Sequence, residues 1–134
     1  MPFVIDASVT ACWAFEDEDH PIAARALDQL RIDAARVPGL WWFEVRNTLI
    51  VNERRKRITS QAVTDFLRKL SSLDVRPDTD PNESEILELA RRYRLTVYDS
   101  AYLELARREG IALATLDEEL ADAARAEKVA LIGG

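Results

Sequence analysis

Short unbroken apolar runs alternate along this chain with longer stretches whose apolar residues recur every three or four positions. Phe3-Val4-Ile5 is a run of strand formers that stops at Asp6, the pattern of a buried strand. Ala35-Arg36-Val37, ended by Pro38-Gly39, is a second short strand. Ile111-Ala112-Leu113-Ala114-Thr115 is a third, and Val129-Ala130-Leu131-Ile132 closes the chain as a last strand before Gly133-Gly134. Leu73-Asp74-Val75 is too short to assign.

The intervening stretches read as helices. Asp6-Ala7-Ser8 supplies cap chemistry for a short helix through Trp13 and Phe15. From His20 to Ile32, Ile22, Ala26, Leu27 and Leu30 fall on one helical face, with Pro21 suited to the first turn. A longer helix runs from Leu40 into Arg54-Arg55-Lys56-Arg57, cations that suit a helix C-terminus. Thr59 caps the next helix. Asp80-Pro81-Asn82-Glu83 has the acid, proline and reciprocal Glu of another start. A further helix opens near Asp99 and stops at Gly110, and one more spans Glu118 to Glu127. Apolar strands alternating with amphipathic helices predict an α/β fold, a parallel sheet between helices, in a single domain over 1–134.

Composition narrows the chemistry. No apolar run approaches the roughly 20 residues that span a bilayer, and the first residues lack the form of a cleavable leader, so the expectation is a cytoplasmic protein away from membranes. One cysteine, Cys12, and one histidine, His20, exclude an internal disulfide, a multi-cysteine zinc site and any mechanism needing two histidines. Carboxylates, hydroxyls or a metal must act. The net charge of −6 argues against loose binding to polyanions, although divalent cations reverse the local charge of an acidic site.

Ligands of open parallel sheets bind beyond the carboxyl ends of the strands. Asp6 directly follows the first strand, Asp117 lies two residues past Thr115, and Asp99 opens the helix leading into that later strand. Glu44 is the one acid within the apolar Leu40–Val51 stretch, where an unpaired charge is costly. Each Asp taken alone could simply cap a helix, and Glu44 could meet an Arg or bond Asn47. Together they form a convergent set. Four such carboxylates repel unless protonated or bridged by cations, and oxygen-only ligation suits Mg²⁺ or Mn²⁺, which promote phosphodiester hydrolysis. Ser8 and Thr115 are hydroxyls placed to orient a carboxylate or a phosphate, with capping as the plain alternative. The basic run Arg54, Arg55, Lys56 and Arg57 is a candidate phosphate contact or a solvated helix end. Trp41, Trp42 and Phe43 are adjacent on a helix, so one or two of them face a partner surface or a second neighbour.

At these residues the sequence resembles the PIN-domain ribonucleases, and among them the VapC-type toxins of toxin–antitoxin pairs. The resemblance rests on Val4-Ile5-Asp6-Ala7-Ser8, Glu44-Val45-Arg46-Asn47, Tyr98-Asp99-Ser100-Ala101-Tyr102 and Ala114-Thr115-Leu116-Asp117, an ordered set covering nearly the whole chain. It implies a PIN fold with a central parallel sheet of about four or five strands. It also implies Mg²⁺- or Mn²⁺-dependent cleavage of RNA carried by Asp6, Glu44, Asp99 and Asp117, with Ser8, Asn47 and Thr115 in support. A cognate antitoxin and a homodimer are implied with it.

Two other classes compete. A haloacid-dehalogenase-like phosphohydrolase also places Asp after the first strand but needs a second acid two residues on, where this chain has Ser8. A catalytically silent antitoxin-binding module would not need the intact acidic set. A PIN-domain nuclease of RNA or DNA processing, working without an antitoxin, is indistinguishable at this level.

Overall fold

The computed structural model describes residues 1–15 and 17–133. Four strands, β1 (Phe3–Ile5), β2 (Ala35–Pro38), β3 (Val75–Asp78) and β4 (Ala112–Ala114), form one sheet in the order β3-β2-β1-β4. All three strand pairs are parallel. Phe3, Val4 and Ile5 are each at most 1% exposed. Successive side chains of a strand point to opposite faces, so burial of all three requires both faces of the sheet to be covered. Helices α1 (Ala7–Cys12), α2 (Pro21–Leu30) and α3 (Leu40–Arg54) pack together on the sheet. So do α5 (Glu83–Tyr93), α6 (Val97–Glu109) and α7 (Glu118–Ala126), while α4 (Ser60–Ser71) leans on α3.

Local chemistry sets most of these boundaries. The Thr59 hydroxyl accepts from the Ala62 N–H to start α4, and His20 Nδ1 accepts from the Ile22 N–H ahead of Pro21 to start α2. Gly110 ends α6 in the left-handed region at φ 66°, where a residue without Cβ is unstrained. Cys12 is buried, as its small apolar character demands.

Three expectations are corrected, and one unassigned segment proves to be a strand. α1 stops at Cys12, because Trp13 turns its indole N–H to the Ala23 carbonyl, 2.8 Å away. α5 is capped by Asn82, whose side chain accepts from the Glu85 N–H, so Asp80 and Pro81 precede the helix. The run Val129–Ile132 contributes a single parallel bridge, Leu131 to Leu113, in place of a strand, and Gly134 beyond it lies outside the described residues. β3, left unassigned by periodicity, is half-buried only at its ends, and its middle residues Arg76 and Pro77 are exposed; an edge strand tolerates the proline. No helix among the described residues is long and apolar enough to cross a membrane.

One ion-pair network ties this edge of the sheet to α6. Arg108 donates to Glu104 and to Asp78, each at 2.7 Å, and both acids are largely buried. The Arg108 guanidinium holds Asp78 below the usual carboxylate range. α6, the helix that carries Asp99, is thereby anchored at its far end.

Candidate active site

The register of the central pair creates the site. Ile5 pairs with Ala114, so the next residues on each strand, Asp6 and Thr115, leave the sheet side by side. The Asp6 N–H continues the ladder to the Ala114 carbonyl at 3.1 Å. Asp6 is 5% exposed and its carboxylate accepts three hydrogen bonds, which leaves Oδ2 with one lone pair in reserve. Oδ1 accepts from the Ser8 hydroxyl at 2.6 Å and from the Val9 N–H at 3.0 Å, and Oδ2 accepts from the Thr115 hydroxyl. Both predicted hydroxyls therefore orient a carboxylate. Each is itself held: Ser8 Oγ accepts from the Leu116 N–H at 3.1 Å and Thr115 Oγ1 from the Asp117 N–H at 3.0 Å. Burial raises the Asp6 carboxyl above its ordinary range, against the lowering effect of these hydrogen bonds.

Asp117 caps α7, its Oδ1 accepting from the Glu119 and Leu120 N–H groups. Cap and functional acid are thus compatible roles in one residue, and the same holds for Asp6 at α1. Asp99 differs from its expected place. Thr96 is the cap of α6, and Asp99 sits a turn further in as the residue whose N–H meets the Thr96 hydroxyl. Its carboxylate is left to the Thr96 hydroxyl and to the field of the other acids. Burial pushes Asp99 up to about 6, and the charges of Asp117, Asp6 and Glu44 push in the same direction.

Glu44 is half-buried. It meets neither an Arg nor Asn47. Its Oε1 accepts from the Tyr102 hydroxyl at 2.6 Å, a bond reaching from α6 to α3. Burial raises Glu44, with the Tyr102 bond lowering it and Asp6 raising it further. Tyr102 is 1% exposed, and burial beside Glu44 drives its phenol far above neutrality, so it remains a donor. Sequence reasoning gave Tyr102 no role. The signal was its position three residues after Asp99, on the same face of α6.

Asn47 is exposed one turn beyond Glu44. Arg54, Arg55 and Lys56 are exposed at the end of α3, which at 1.5 Å per residue puts Arg54 about 15 Å along the helix from Glu44. Arg57 is engaged elsewhere, bonded to Asn52 at 2.8 Å and Glu18 at 3.0 Å. A cavity of about 430 Å³ opens near Met1, Gln29, Arg107 and Lys128, and none of the four acids lines it.

Asp117, Asp6 and Glu44, from three other segments, thus all act on Asp99 at the carboxyl edge of the sheet. Among the described residues no three acidic, His or Cys side chains stand ready to enclose an ion. Mg²⁺ held through one or two carboxylates, with waters completing its shell, requires no tighter cluster. The donor set of oxygens alone fits a hard cation.

Comparison with known proteins bears on the family and the fold. Ribonuclease VapC3 of Pyrobaculum aerophilum is 32% identical over 130 residues, covering 91% of this chain and 94% of that protein. The crystal structure of PAE2754 from Pyrobaculum aerophilum superimposes with a TM-score of 0.76 at 23% identity, over 99% of this chain and 90% of that one. The PIN domain family model matches residues 3–126, a span that includes every strand and all four acids, and the chain belongs to the PIN-domain family.

Proposed function

We propose that this protein is an endoribonuclease that hydrolyses RNA phosphodiester bonds with Mg²⁺ or Mn²⁺ at Asp6, Glu44, Asp99 and Asp117. The observation that carries the reading is Asp99, pushed up to about 6 by burial and by the three other acids. Carboxylates that raise one another in this way repel, and a bound cation would relieve that repulsion. A bound divalent ion would activate water and stabilise charge on the attacking and leaving oxygens.

The chain's own residues supply position. Asp6 is the fixed point, locked by Ser8, Val9 and Thr115. Glu44 is turned by Tyr102, and Asp117 is held by the start of α7. Asn47 and the exposed cations Arg54, Arg55 and Lys56 would meet the flanking RNA backbone, with Arg57 contributing only if it leaves Glu18. The identity to a protein named Ribonuclease VapC3 supports a ribonuclease toxin with a cognate antitoxin as its partner; a homodimer in the cytoplasm completes the proposal. An antitoxin that reaches the acids with a basic side chain would silence the site.

The direct test is cleavage of a structured RNA by protein stripped of metal. No cleavage is expected in excess chelator, and Mg²⁺ or Mn²⁺ should restore it. Full activity in chelator would end the metal reading.

A positioning role for Tyr102 has its own readout. Tyr102→Phe keeps the buried ring, so the fold should persist. The lost bond is one that lowers Glu44, and the acid limb of the pH–rate profile should therefore move to higher pH, with cleavage reduced about tenfold or more. A profile superimposable on that of the wild type would remove Tyr102 from the site.

A further inference from the structure

Two hydrogen bonds join the backbone of Asp6 to the helix that carries Glu44. The Trp41 indole N–H of α3 donates to the Thr10 hydroxyl of α1 at 2.9 Å, and that hydroxyl donates to the Asp6 carbonyl at 3.0 Å. The direction of both bonds is forced. An indole N–H can only donate, so the Thr10 oxygen accepts from Trp41 and its own hydrogen goes to Asp6. Thr10 is 0% exposed, so bulk water cannot replace either partner. Trp41 is buried with it, whereas Trp42 and Phe43 beside it are exposed.

The relay lies where local structure gives little support. α1 has only six residues, and the Thr10 N–H reaches the Asp6 carbonyl at a long 3.3 Å. α3 begins after Gly39 with no side chain capping it, and α1 packs against it. Glu44 follows Trp41 by three residues, which makes the two neighbours on the surface of α3. The Tyr102 hydroxyl then holds Glu44 from α6. Side-chain hydrogen bonds thus tie α1, α3 and α6 together, and Asp6 caps the first, Glu44 lies on the second and Asp99 on the third.

We infer that Thr10 and Trp41 are positioning residues, a buried relay that sets Asp6 against Glu44 for a shared cation. The inference rests on the proposed metal site. The strand ladder fixes the Asp6 N–H and Thr10 fixes its carbonyl, so the carboxylate springs from a backbone held on both sides. Trp41 gives α3 the same reference point. Partners that orient metal ligands are worth 10–100-fold in affinity or activity. The plain alternative is that a buried hydroxyl and a buried indole merely satisfy each other. Both groups could then be removed together at small cost, because deleting both partners of a buried hydrogen bond is milder than orphaning one.

The test compares Thr10→Ser, Thr10→Val, Trp41→Phe and the double variant Thr10→Val/Trp41→Phe with the wild type. Each full-length protein is stripped of metal and titrated with Mn²⁺ alone, bound ion being read from loss of the free-ion EPR signal. Thr10→Ser keeps both bonds and should bind Mn²⁺ as the wild type does. Thr10→Val, Trp41→Phe and the double variant should each bind about tenfold more weakly or worse. The double should be no weaker than the poorer single, since both changes cut one relay. Melting temperature in chelator separates the two accounts. It should fall in Thr10→Val, which orphans the indole N–H, and recover in the double variant, while Mn²⁺ affinity stays low. RNA cleavage should fall in kcat with KM little changed. A Mn²⁺ affinity that recovers with the melting temperature in the double variant would overturn the relay. So would wild-type affinity in Trp41→Phe, which keeps a buried ring and the Thr10–Asp6 bond and so folds even where Thr10→Val does not. The metal reading fails separately: a wild type that binds no Mn²⁺ refutes that reading and the relay with it, whereas Mn²⁺ bound equally by wild type and Trp41→Phe refutes the relay alone.

Discussion

Asp6→Asn, Asp99→Asn and Glu44→Gln are each expected to lower RNA cleavage by more than about a hundredfold, since even the outer partners of metal ligands cost 10–100-fold when removed. Each change deletes a charge and keeps the side-chain shape. Asn at position 6 retains one carbonyl oxygen for the Ser8 and Val9 donors, and the Thr115 hydroxyl can turn to accept from the new amide. The cap of α6 is the Thr96 side chain, which accepts from the Asp99 backbone N–H, so the Asp99 carboxylate is not what starts the helix, and Asn keeps an oxygen for the Thr96 hydroxyl. Loss of activity should therefore come with intact circular dichroism and a cooperative melting transition. Asp117→Asn is expected to be milder in stability terms, as Asn also caps well. Undiminished cleavage by two of the first three variants would sink the assignment of the site.

The second large effect is on stability in the absence of metal. Asp99 sits near 6 in the folded protein and at about 3.9 in an unfolded chain. The folded state thus holds a proton between these values that the unfolded state has released. Stability contributed by this group falls as pH rises through that window, and the full penalty is present above pH 6. Asp6 and Glu44 are raised in the same sense. Asp78 and Glu127 are lowered by their Arg and Tyr partners. Their contribution is present above the unfolded carboxyl range, about pH 4, and is lost only as pH falls below it. Between pH 7 and about pH 5 the raised acids decide the sign.

Metal-free protein should therefore melt higher at pH 5 than at pH 7. Asp99 is solvated on one side, so its share is on the order of 1 kcal/mol at most after screening, or roughly 3–5 °C for a chain of this size. Asp99→Asn should raise the melting temperature at pH 7 in chelator, flatten the pH dependence and shrink the rise produced by Mn²⁺, which binds only the folded state. Asp99→Ala run beside it removes any residual amide contact. In the double variant Asp6→Asn/Asp99→Asn the two changes should act non-additively on the Mn²⁺ shift, as shared ligation requires. Additive effects with an undiminished Mn²⁺ response would show four acids with separate jobs.

The strands and helices that build the central sheet were legible because they depend on near neighbours. Phe3–Ile5 and Ala112–Ala114 are apolar runs too short for helices, and Thr59 and Gly110 mark helix ends by their own chemistry. The acids were legible for a related reason. A parallel sheet brings the carboxyl ends of its strands to one edge, so a residue directly after a strand is placed by topology alone. That argument located Asp6 and Asp117 and anticipated that Ser8 and Thr115 would serve a carboxylate. Asp99 and Glu44 were identified as residues while their local reasons were misread: Thr96 holds the cap expected of Asp99, and Glu44 is paired from another helix.

Only tertiary structure decided the rest. β3 is an edge strand that buries little, so its hydrophobic pattern is weak, and it exists because Ala35–Pro38 offers it a ladder. Conversely, Val129–Ile132 is a good strand by composition that finds only one bridge, Leu131 to Leu113. The Tyr102–Glu44 bond joins positions 58 residues apart, a pairing no window of the chain can contain. The fate of Trp41, Trp42 and Phe43 followed from packing as well. Three adjacent aromatics on a helix point about 100° apart, at 3.6 residues per turn, and the neighbouring α1 had a partner, Thr10, for one of them. Local chemistry determined which acids stand at the ends of elements, and long-range packing determined which phenol meets Glu44 and which of three adjacent aromatics is buried.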